Sequence, residues 1–193
     1  MSPRGPASIT AVIRHADPGA DAADCAEIYA PFVRDSAVSF ERDAPGASEM
    51  TERIERIAAT HPWLVAQAGE RVVAFAYASP HRVREAYRWT ADVSVYVGHG
   101  HRRRGLGRAL YAALLELLRR QGIGNACAGI TLPNEASVGL HERLGFAPVG
   151  VYRRIGWKAG AWRDVGWWQL ALVARGEDAP PEPSGPQRLG ETR

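Results

Sequence analysis

One stretch in the middle of the chain constrains the fold more than any other, because it joins a strand to a helix through arginine and glycine. Residues 91–97 alternate in polarity and are rich in β-branched side chains, which predicts a β-strand. From Leu106 onward, apolar residues recur at helical spacing until Gly122, a stop signal. The connection is His101-Arg-Arg-Arg-Gly-Leu-Gly107, here named the arginine-glycine loop.

The arginine-glycine loop is suited to binding a phosphate. Glycines allow a tight turn and let backbone N–H groups approach a ligand, and unpaired N–H groups at a helix N-terminus attract anions. Three consecutive arginines add positive charge. The loop lacks the Lys-Ser/Thr pair of a Walker loop and the third glycine of a dinucleotide fingerprint. We interpret it as a pyrophosphate cradle, with a solvated basic turn as the alternative.

The composition indicates one domain with a hydrophobic core. The chain has 193 residues, 46% of them hydrophobic, and a formal net charge of +3. This mild excess of positive charge suits an anionic small ligand and does not require a nucleic acid. We expect residues 1–7 to be flexible, residues 8–173 to form the domain, and residues 174–193, rich in proline, glycine and charge, to be disordered.

Cysteine usage and hydropathy exclude several other classes of protein. Cys25 and Cys127 are too few and too far apart to predict a disulfide framework or a metal site. No apolar run approaches the length of a membrane span, and the N-terminus lacks the pattern of a signal peptide. We therefore expect a soluble, cytoplasmic protein with no membrane partner.

The predicted elements follow the order β–α–α–β–β–β–α–β–α–β–β, which indicates an α+β domain with one mostly antiparallel sheet. The first helix is expected to begin at Asp17-Pro18 or at Asp21, and the second at Ser48 as its N-cap. Other predicted strands cover 8–14, 63–68, 72–78, 126–132, 148–157 and 162–173, and a short helix covers 137–144.

Several separated motifs resemble the GNAT acetyltransferase superfamily. They are the arginine-glycine loop, the order of elements, and Asn134 followed by a short helix that ends in Leu144-Gly-Phe146. Within the superfamily, further stretches resemble the phosphinothricin N-acetyltransferases. They are Tyr87-Arg-Trp-Thr-Ala-Asp92, then Leu132-Pro-Asn134 with Ser137 and His141, and finally Gly156-Trp-Lys-x-Gly-x-Trp162 running to Asp164-Val-Gly166 and Trp168-Gln-Leu170. The similarity covers about residues 8–172.

The resemblance implies a GNAT-like mixed sheet of about seven strands, flanked by about four helices, in which two central strands splay apart. It also implies acetyl-CoA as the co-substrate, with its pantetheine arm in the gap between those strands, and no metal. The residues placed against acetyl-CoA are Val95, Tyr96, Val97, Arg102, Arg103, Arg104, Gly105, Leu106, Gly107 and Asn134. The strand residues would use their backbone, while the side chains of Val95 and Val97 are expected in the core.

The resemblance also indicates catalytic residues. Acetyl transfer to an amine requires a base that removes a proton from the ammonium group. Asp92 lies where the family usually carries a glutamate, so this shorter side chain would act directly or through a bridging water. The alternative is a carboxylate tied to an arginine. His141 falls where many relatives have a tyrosine acid, and Tyr111 is another candidate donor; for both, a core role is the alternative.

Substrate recognition is expected in the segment His81–Tyr87. Arg82, Arg84 and Tyr87 match family positions that bind an acidic substrate, and arginine suits a carboxylate or phosphinate. Phe40 would supply an apolar wall. The alternative is a solvated basic loop. Asp164 and the tryptophans at positions 157, 162, 167 and 168 are interpreted as packing and hairpin residues.

Three classes of function fit these features. The first is an N-acetyltransferase for phosphinothricin, methionine sulfoximine or a related small amino acid, acting by direct attack in a ternary complex. The second acetylates another amine or a protein N-terminus. The third is a non-catalytic acyl-CoA-binding module or a basic nucleic-acid binder. The arginines near position 82 favour the first class, and the resemblance leads us to expect a homodimer.

Overall fold

The computed structural model of the protein describes residues 11–174, 176 and 180–190. Over these residues the chain forms seven strands and four α-helices. The strands are β1 (Val12–His15), β2 (Trp63–Ala68), β3 (Arg71–Pro80), β4 (Thr90–Val97), β5 (Asn125–Leu132), β6 (Ala147–Lys158) and β7 (Ala161–Ala171). The helices are α1 (Pro18–Arg34), α2 (Ala47–Ala58), α3 (Leu106–Gln121) and α4 (Glu135–Arg143). The predicted order of elements is confirmed, although residues 8–10 lie outside the described residues.

The strands form one sheet in the order β1-β2-β3-β4-β5-β7-β6. Among the described strands, every neighbouring pair is antiparallel except β4 and β5, which run parallel. A parallel pair requires a crossover connection, and α3 provides it. The mixed, mostly antiparallel sheet that the sequence predicts is therefore confirmed.

Helices cover both faces of the sheet. Because successive strand residues point to opposite faces, Leu64 and Ala66 of β2 pack in the cluster that contains α3, whereas Trp63 and Val65 pack in the cluster that contains α1 and α2. Within the described ranges, no helix combines the length and the apolar composition needed to cross a bilayer.

The helix boundaries agree with the predicted caps at α1 but not at α2. Asp17 caps α1, because its Oδ1 accepts hydrogen bonds from the N–H groups of Gly19 and Ala20. The other candidate, Asp21, lies in the first turn and pairs with Arg14. At α2 the N-cap is Gly46 and no side chain caps the helix. The prediction of Ser48 as the cap is therefore wrong.

Glycines in left-handed conformation lie at two other element boundaries, and the end of α3 at Gly122 is as predicted. Gly122 has φ +89° and ends α3, and Gly69 has φ +62° in the turn between β2 and β3. The short helix α4 starts at Glu135, two residues earlier than expected. The reason is a hydrogen bond from the Ser137 N–H to Oδ1 of Asn134, which makes Asn134 the N-cap.

Part of the C-terminal tail lies against the domain. The indole N–H of Trp89 donates to the Pro181 carbonyl at 2.8 Å, and the Ser184 N–H donates to the Gln121 carbonyl at 2.7 Å. Leu189 packs on the core that contains α3. Residues 180–190 thus have defined contacts with the domain, which composition does not predict because it does not record which groups the domain offers them.

Candidate active site

The two central strands β4 and β5 pair over only three residues and then diverge. The pairs are Thr90 with Asn125, Ala91 with Ala126, and Asp92 with Cys127. Beyond this point β4 continues along β3, and β5 continues along β7. Because the facing edges of β4 and β5 no longer share hydrogen bonds, a gap opens in the sheet immediately after Asp92.

The arginine-glycine loop leads from β4 into α3 after one turn of 3-10 helix at His99–His101. Gly105 has φ +80° and Arg103 has φ +60°, so the loop uses left-handed backbone twice. No side chain caps the N-terminus of α3, which leaves its first N–H groups available to an anion. All three arginines are exposed, and Arg102 lies 5.0 Å from the ring centre of Phe32. These donors suit a diphosphate.

Close packing holds the start of α3 against β4. A Cβ on Gly107 would lie 3.4 Å from Leu140 and 3.8 Å from methyl groups of Val95 and Val97. The side chains of both valines pack against the core, as expected, so their backbone is what remains for a ligand in the gap. The ring of Tyr96 lies on the other face, against Tyr29, Phe32 and Phe75.

Asn134 stands at the N-terminus of α4, beside this loop. Its hydrogen bond from the Ser137 N–H, 3.1 Å long, uses the amide oxygen and not the amide nitrogen. Leu140 of the same helix contacts the position of Gly107, so α4 lies next to the start of α3. The expected cofactor contact of Asn134 is therefore compatible with its capping role.

Asp92 is the last residue of β4 that pairs with β5, and it lies at the start of the gap. Its Oδ1 lies 2.7 Å from Nδ1 of His81, and its side chain is 29% exposed. Burial raises the pKa of Asp92 above its usual value, and the hydrogen bond from His81 opposes this rise. The alternative role predicted for Asp92 was a bond to an arginine. The structure instead shows its carboxylate bonded to a histidine.

Aromatic rings surround His81. Its ring centre lies 5.8 Å from that of Tyr87 and 5.8 Å from that of Trp167, both in edge-to-face geometry. The indole of Trp167 in turn lies over Gly129, where an added Cβ would be 3.3 Å from the ring. Trp167 therefore belongs to the wall of this site, not only to the packing of the hairpin as the sequence suggested.

Tyr111 and His141 form a buried pair between α3 and α4. The Ser137 carbonyl lies 2.8 Å from Nδ1 of His141, and because a carbonyl only accepts, Nδ1 carries the hydrogen. Nε2 then accepts from the Tyr111 hydroxyl at 3.1 Å. The two residues are 1% and 3% exposed, and burial lowers the pKa of His141 and raises that of Tyr111. Both side chains thus have satisfied core positions.

The predicted substrate residues lie in two groups. Arg82 and Tyr87 are beside the Asp92 cluster: the Arg82 guanidinium lies 5.8 Å from the Trp167 ring centre, and Tyr87 contacts His81. Arg84 is exposed and precedes the 3-10 turn at Glu85–Tyr87. The structure therefore brings two of the three predicted loop residues to Asp92, and leaves Arg84 toward solvent.

Phe40 lies against β6. Its ring covers Gly156 of β6 so closely that a Cβ there would be 2.2 Å from Phe40 Cε2. The Val38 carbonyl accepts a hydrogen bond of 3.5 Å from Thr131 of β5. The segment that carries Phe40 is thereby held over β5 and β6, on the far side of the gap from β4.

Comparison with known proteins identifies the family. A model of the Acetyltransferase (GNAT) family matches residues 24–146. The chain belongs to this family. It is 41% identical over 167 residues to the phosphinothricin N-acetyltransferase of Streptomyces viridochromogenes, covering 86% of this chain and 90% of that protein. The chain is also 34% identical over 157 residues to the L-methionine sulfoximine/L-methionine sulfone acetyltransferase of Salmonella typhimurium, covering 79% and 92%.

A solved structure shows the same fold as this GNAT acetyltransferase. The crystal structure of a phosphinothricin acetyltransferase from Sinorhizobium meliloti, in complex with acetyl-CoA, has a TM-score of 0.84 and 31% sequence identity. The match covers 90% of this chain and 94% of that chain. The resemblance to the phosphinothricin N-acetyltransferases is thereby confirmed, together with the GNAT fold.

Sequence reasoning missed three residues around Asp92 and its partner in the acetyltransferase: His81, Trp167 and Cys127. His81 lies in the segment predicted to bind substrate but has no predicted role of its own, and Trp167 is predicted only to pack in the hairpin. Cys127 faces Asp92 across β4 and β5, and its sulfur, a nitrogen of His81 and an oxygen of Asp92 all lie within 4.8 Å of one another. A sequence signal existed only for His81, which directly follows the Ser79-Pro80 break at the end of a predicted strand.

Proposed function

We propose that this GNAT acetyltransferase transfers the acetyl group of acetyl-CoA to the α-amino group of phosphinothricin, methionine sulfoximine or a related small amino acid. The observation that carries the proposal is the position of Asp92, a partly buried carboxylate at the point where β4 and β5 diverge. The relatives named for phosphinothricin and for methionine sulfoximine support this substrate class.

The arginine-glycine loop is the proposed site for the diphosphate of acetyl-CoA. Backbone N–H groups at Gly105 to Gly107 and the side chains of Arg102, Arg103 and Arg104 would bind it. The backbone of Val95 to Val97 would pair with the pantetheine arm, and the amide nitrogen of Asn134 would bind further along the cofactor. The uncapped start of α3 and the left-handed Gly105 support this assignment.

The reaction proceeds by direct attack in a ternary complex. The substrate ammonium loses a proton toward Asp92, which makes the amine nucleophilic. The amine nitrogen then bonds to the thioester carbonyl carbon, and the carbon–sulfur bond breaks with its electron pair leaving on sulfur. A backbone N–H of β4 near Val95 would donate to the carbonyl oxygen as negative charge develops there.

The Tyr111–His141 pair is the proposed proton donor to the departing thiolate. In this step the Tyr111 hydroxyl would turn from Nε2 of His141, 3.1 Å away, and give its proton to the thiolate; His141 holds its hydrogen on Nδ1, so the tyrosinate would regain a proton from solvent. Because both side chains are buried, the hydroxyl would have to face the gap for this step. A turnover defect in Tyr111→Phe, with acetyl-CoA affinity retained, would support the assignment, and unchanged turnover would leave the pair with its core role alone.

Substrate selection is proposed to combine charge with an apolar wall. Arg82 and Arg84 would bind the acidic groups of the amino acid, Tyr87 would line the same side, and Phe40 would cover its hydrocarbon part. Arg82 lies beside Trp167 near Asp92, which supports its role. A peptide acceptor has no carboxylate next to its amine, so these arginines favour a small amino acid over a protein N-terminus.

A thiol-release assay over a panel of acceptors tests the proposed function. The panel contains phosphinothricin, methionine sulfoximine, methionine, glutamate and a short peptide with a free N-terminus, each with acetyl-CoA. We expect the highest kcat/KM for the first two acceptors. Turnover of the peptide but of no amino acid would overturn the substrate class. Absence of acetyl-CoA binding in calorimetry would overturn the activity itself.

We also propose that the protein forms a homodimer through the β6–β7 hairpin. β6 is an edge strand, and apolar side chains are exposed along this hairpin: Val149, Val151, Tyr152, Ile155, Trp157 and Trp162. Exposed apolar area on a sheet edge is typical of an interface. Sedimentation equilibrium is expected to give twice the mass of 21.0 kDa. A monomer at all concentrations would contradict the proposal.

A further inference from the structure

A hydrogen bond joins His81 to Asp92 at the entrance to the gap. Nδ1 of His81 lies 2.7 Å from Oδ1 of Asp92, and the side chains are 16% and 29% exposed. An ionised carboxylate only accepts hydrogen bonds, so Nδ1 carries the hydrogen. The neutral ring then has its lone pair on Nε2, which is the arrangement of a general base whose orientation a carboxylate maintains.

Neighbouring rings restrict the orientation of His81. Tyr87 meets its ring at an interplanar angle of 65° and Trp167 at 86°. Trp167 itself rests over Gly129, where any side chain would displace it. The imidazole is therefore held by one hydrogen bond and two edge-to-face contacts, which fixes the direction of Nε2.

The position of Nε2 allows it to receive a proton. Over the described part of the chain, no group is hydrogen-bonded to Nε2, and this atom is not among the buried atoms that lack a partner. Nε2 is therefore open to an incoming amine. Asp92, in contrast, already uses Oδ1 in the bond to His81.

Groups from four parts of the fold surround the ring. Among the described residues, Asp92 faces it from β4 and Cys127 from β5, while Arg82 and Tyr87 belong to its own loop. The Asp92 anion stabilises an imidazolium at this distance, and the Arg82 cation opposes it from a more exposed position. From β7 the contact is Trp167, which is neutral.

We propose that His81 takes the proton of the substrate ammonium on Nε2, and that Asp92 is a positioning residue that fixes the tautomer and stabilises the imidazolium. This rests on the proposed function and refines its first step: His81, and not the Asp92 carboxylate, is the immediate proton acceptor. The nitrogen–hydrogen bond of the ammonium breaks, Nε2 binds the proton, and the freed amine attacks the thioester. The imidazolium afterwards releases the proton to solvent.

The main test is His81→Asn, which retains an amide N–H for Asp92 and cannot take up a proton. We expect kcat/KM for phosphinothricin to fall about 100-fold or more, in the range of lost general-base catalysis, with acetyl-CoA affinity changed less than twofold. The pH profile is the diagnostic measurement: activity is expected to lose the limb that reports ionisation of the base and to rise only with the free-amine fraction. His61→Asn, a histidine away from the site, is the matched control.

The Asp92→Glu background separates a proton-accepting role from a structural one. The added methylene extends the carboxylate by about 1.5 Å, so the glutamate reaches the amine itself. In that background, His81→Asn is then expected to lower kcat/KM for phosphinothricin by less than tenfold. An equal loss in both backgrounds, or an unchanged pH profile with normal thermal unfolding, would overturn the role of His81 while leaving the proposed function intact.

Two further outcomes have defined meanings. A wild-type protein that acetylates none of the panel would remove the proposed function and the role of His81 together. Loss of activity on addition of EDTA would overturn the role of His81 alone, because His81, Asp92 and Cys127 would then be holding a cation. Full activity in EDTA with a defective His81→Asn variant is the expected result.

Discussion

The two sides of the gap in the sheet are built in different ways. The arginine-glycine loop is a contiguous segment that offers mainly backbone N–H groups and depends on glycine conformation. The acceptor cluster, defined as His81, Tyr87, Asp92 and Trp167, comes from a loop, β4 and β7 and depends on side-chain contacts. A ligand common to a whole family can be held by backbone, whereas chemistry specific to one acceptor requires particular side chains.

This comparison predicts that substitutions on the two sides separate binding from turnover. On the loop side, changes of backbone conformation should weaken acetyl-CoA binding. In the acceptor cluster, changes of side-chain chemistry should lower kcat or raise KM for the amino acid. The following variants test that separation, beginning with the largest expected effect.

Asp92→Asn is expected to reduce kcat/KM by about 10²- to 10⁴-fold, because the amide neither stabilises an imidazolium nor accepts the His81 N–H as a carboxylate does. Calorimetry should show acetyl-CoA affinity within twofold of wild type. Glu52→Gln, which removes an exposed carboxylate on α2, is the control. A parallel loss of acetyl-CoA affinity in Asp92→Asn would place this residue on the cofactor side.

Gly105→Val is expected to weaken acetyl-CoA binding about tenfold, because a β-branched residue at φ +80° is strained by roughly 1–2 kcal/mol. At saturating cofactor, kcat should change little. Gly100→Val is the matched control, since a Cβ there meets nothing within 4 Å and its φ is outside the left-handed region. Equal losses in the two variants would contradict a specific role for the backbone at Gly105.

Gly156→Ala is expected to raise KM for the amino acid about three- to tenfold, equivalent to roughly 0.7–1.4 kcal/mol. The new Cβ would lie 2.2 Å from Phe40 Cε2, so the exposed ring must move and the apolar wall changes shape. Gly150→Ala, on the same strand with open space around it, is the control. Identical KM values would remove Phe40 from the substrate site.

The pH dependence of stability should identify the buried state of His141. Burial lowers its pKa, so below the ordinary value of about 6.5 the unfolded chain takes up a proton that the folded chain resists. The stability that the neutral, buried His141 contributes is therefore full above pH 6.5, and it is lost as the pH falls below that value. Urea unfolding between pH 7 and pH 5 should show a shallower loss for His141→Gln than for wild type. Parallel curves would show that His141 titrates alike in both states.

Local patterns predicted much of the fold because the groups involved are close in sequence. Asp17 caps α1 through N–H groups two and three residues away, and Gly122 ends α3 by its own backbone conformation. Ser48 illustrates the limit of this approach: it is a good capping residue, but α2 has its N-cap two residues earlier, at Gly46. The amino-acid composition of residues 180–190 likewise does not predict which groups of the domain these residues contact.

The sequence by itself determined the order of elements, the arginine-glycine loop and the family, since these depend on periodicity, glycine placement and contiguous motifs. Only the tertiary structure decided that His81 binds Asp92, that Trp167 joins their cluster, and that Tyr111 is bonded to His141. These partners are 11, 86 and 30 positions apart for His81–Asp92, His81–Trp167 and Tyr111–His141. The pairing of strands and helices brings such residues together, and no local pattern records which side chains then meet.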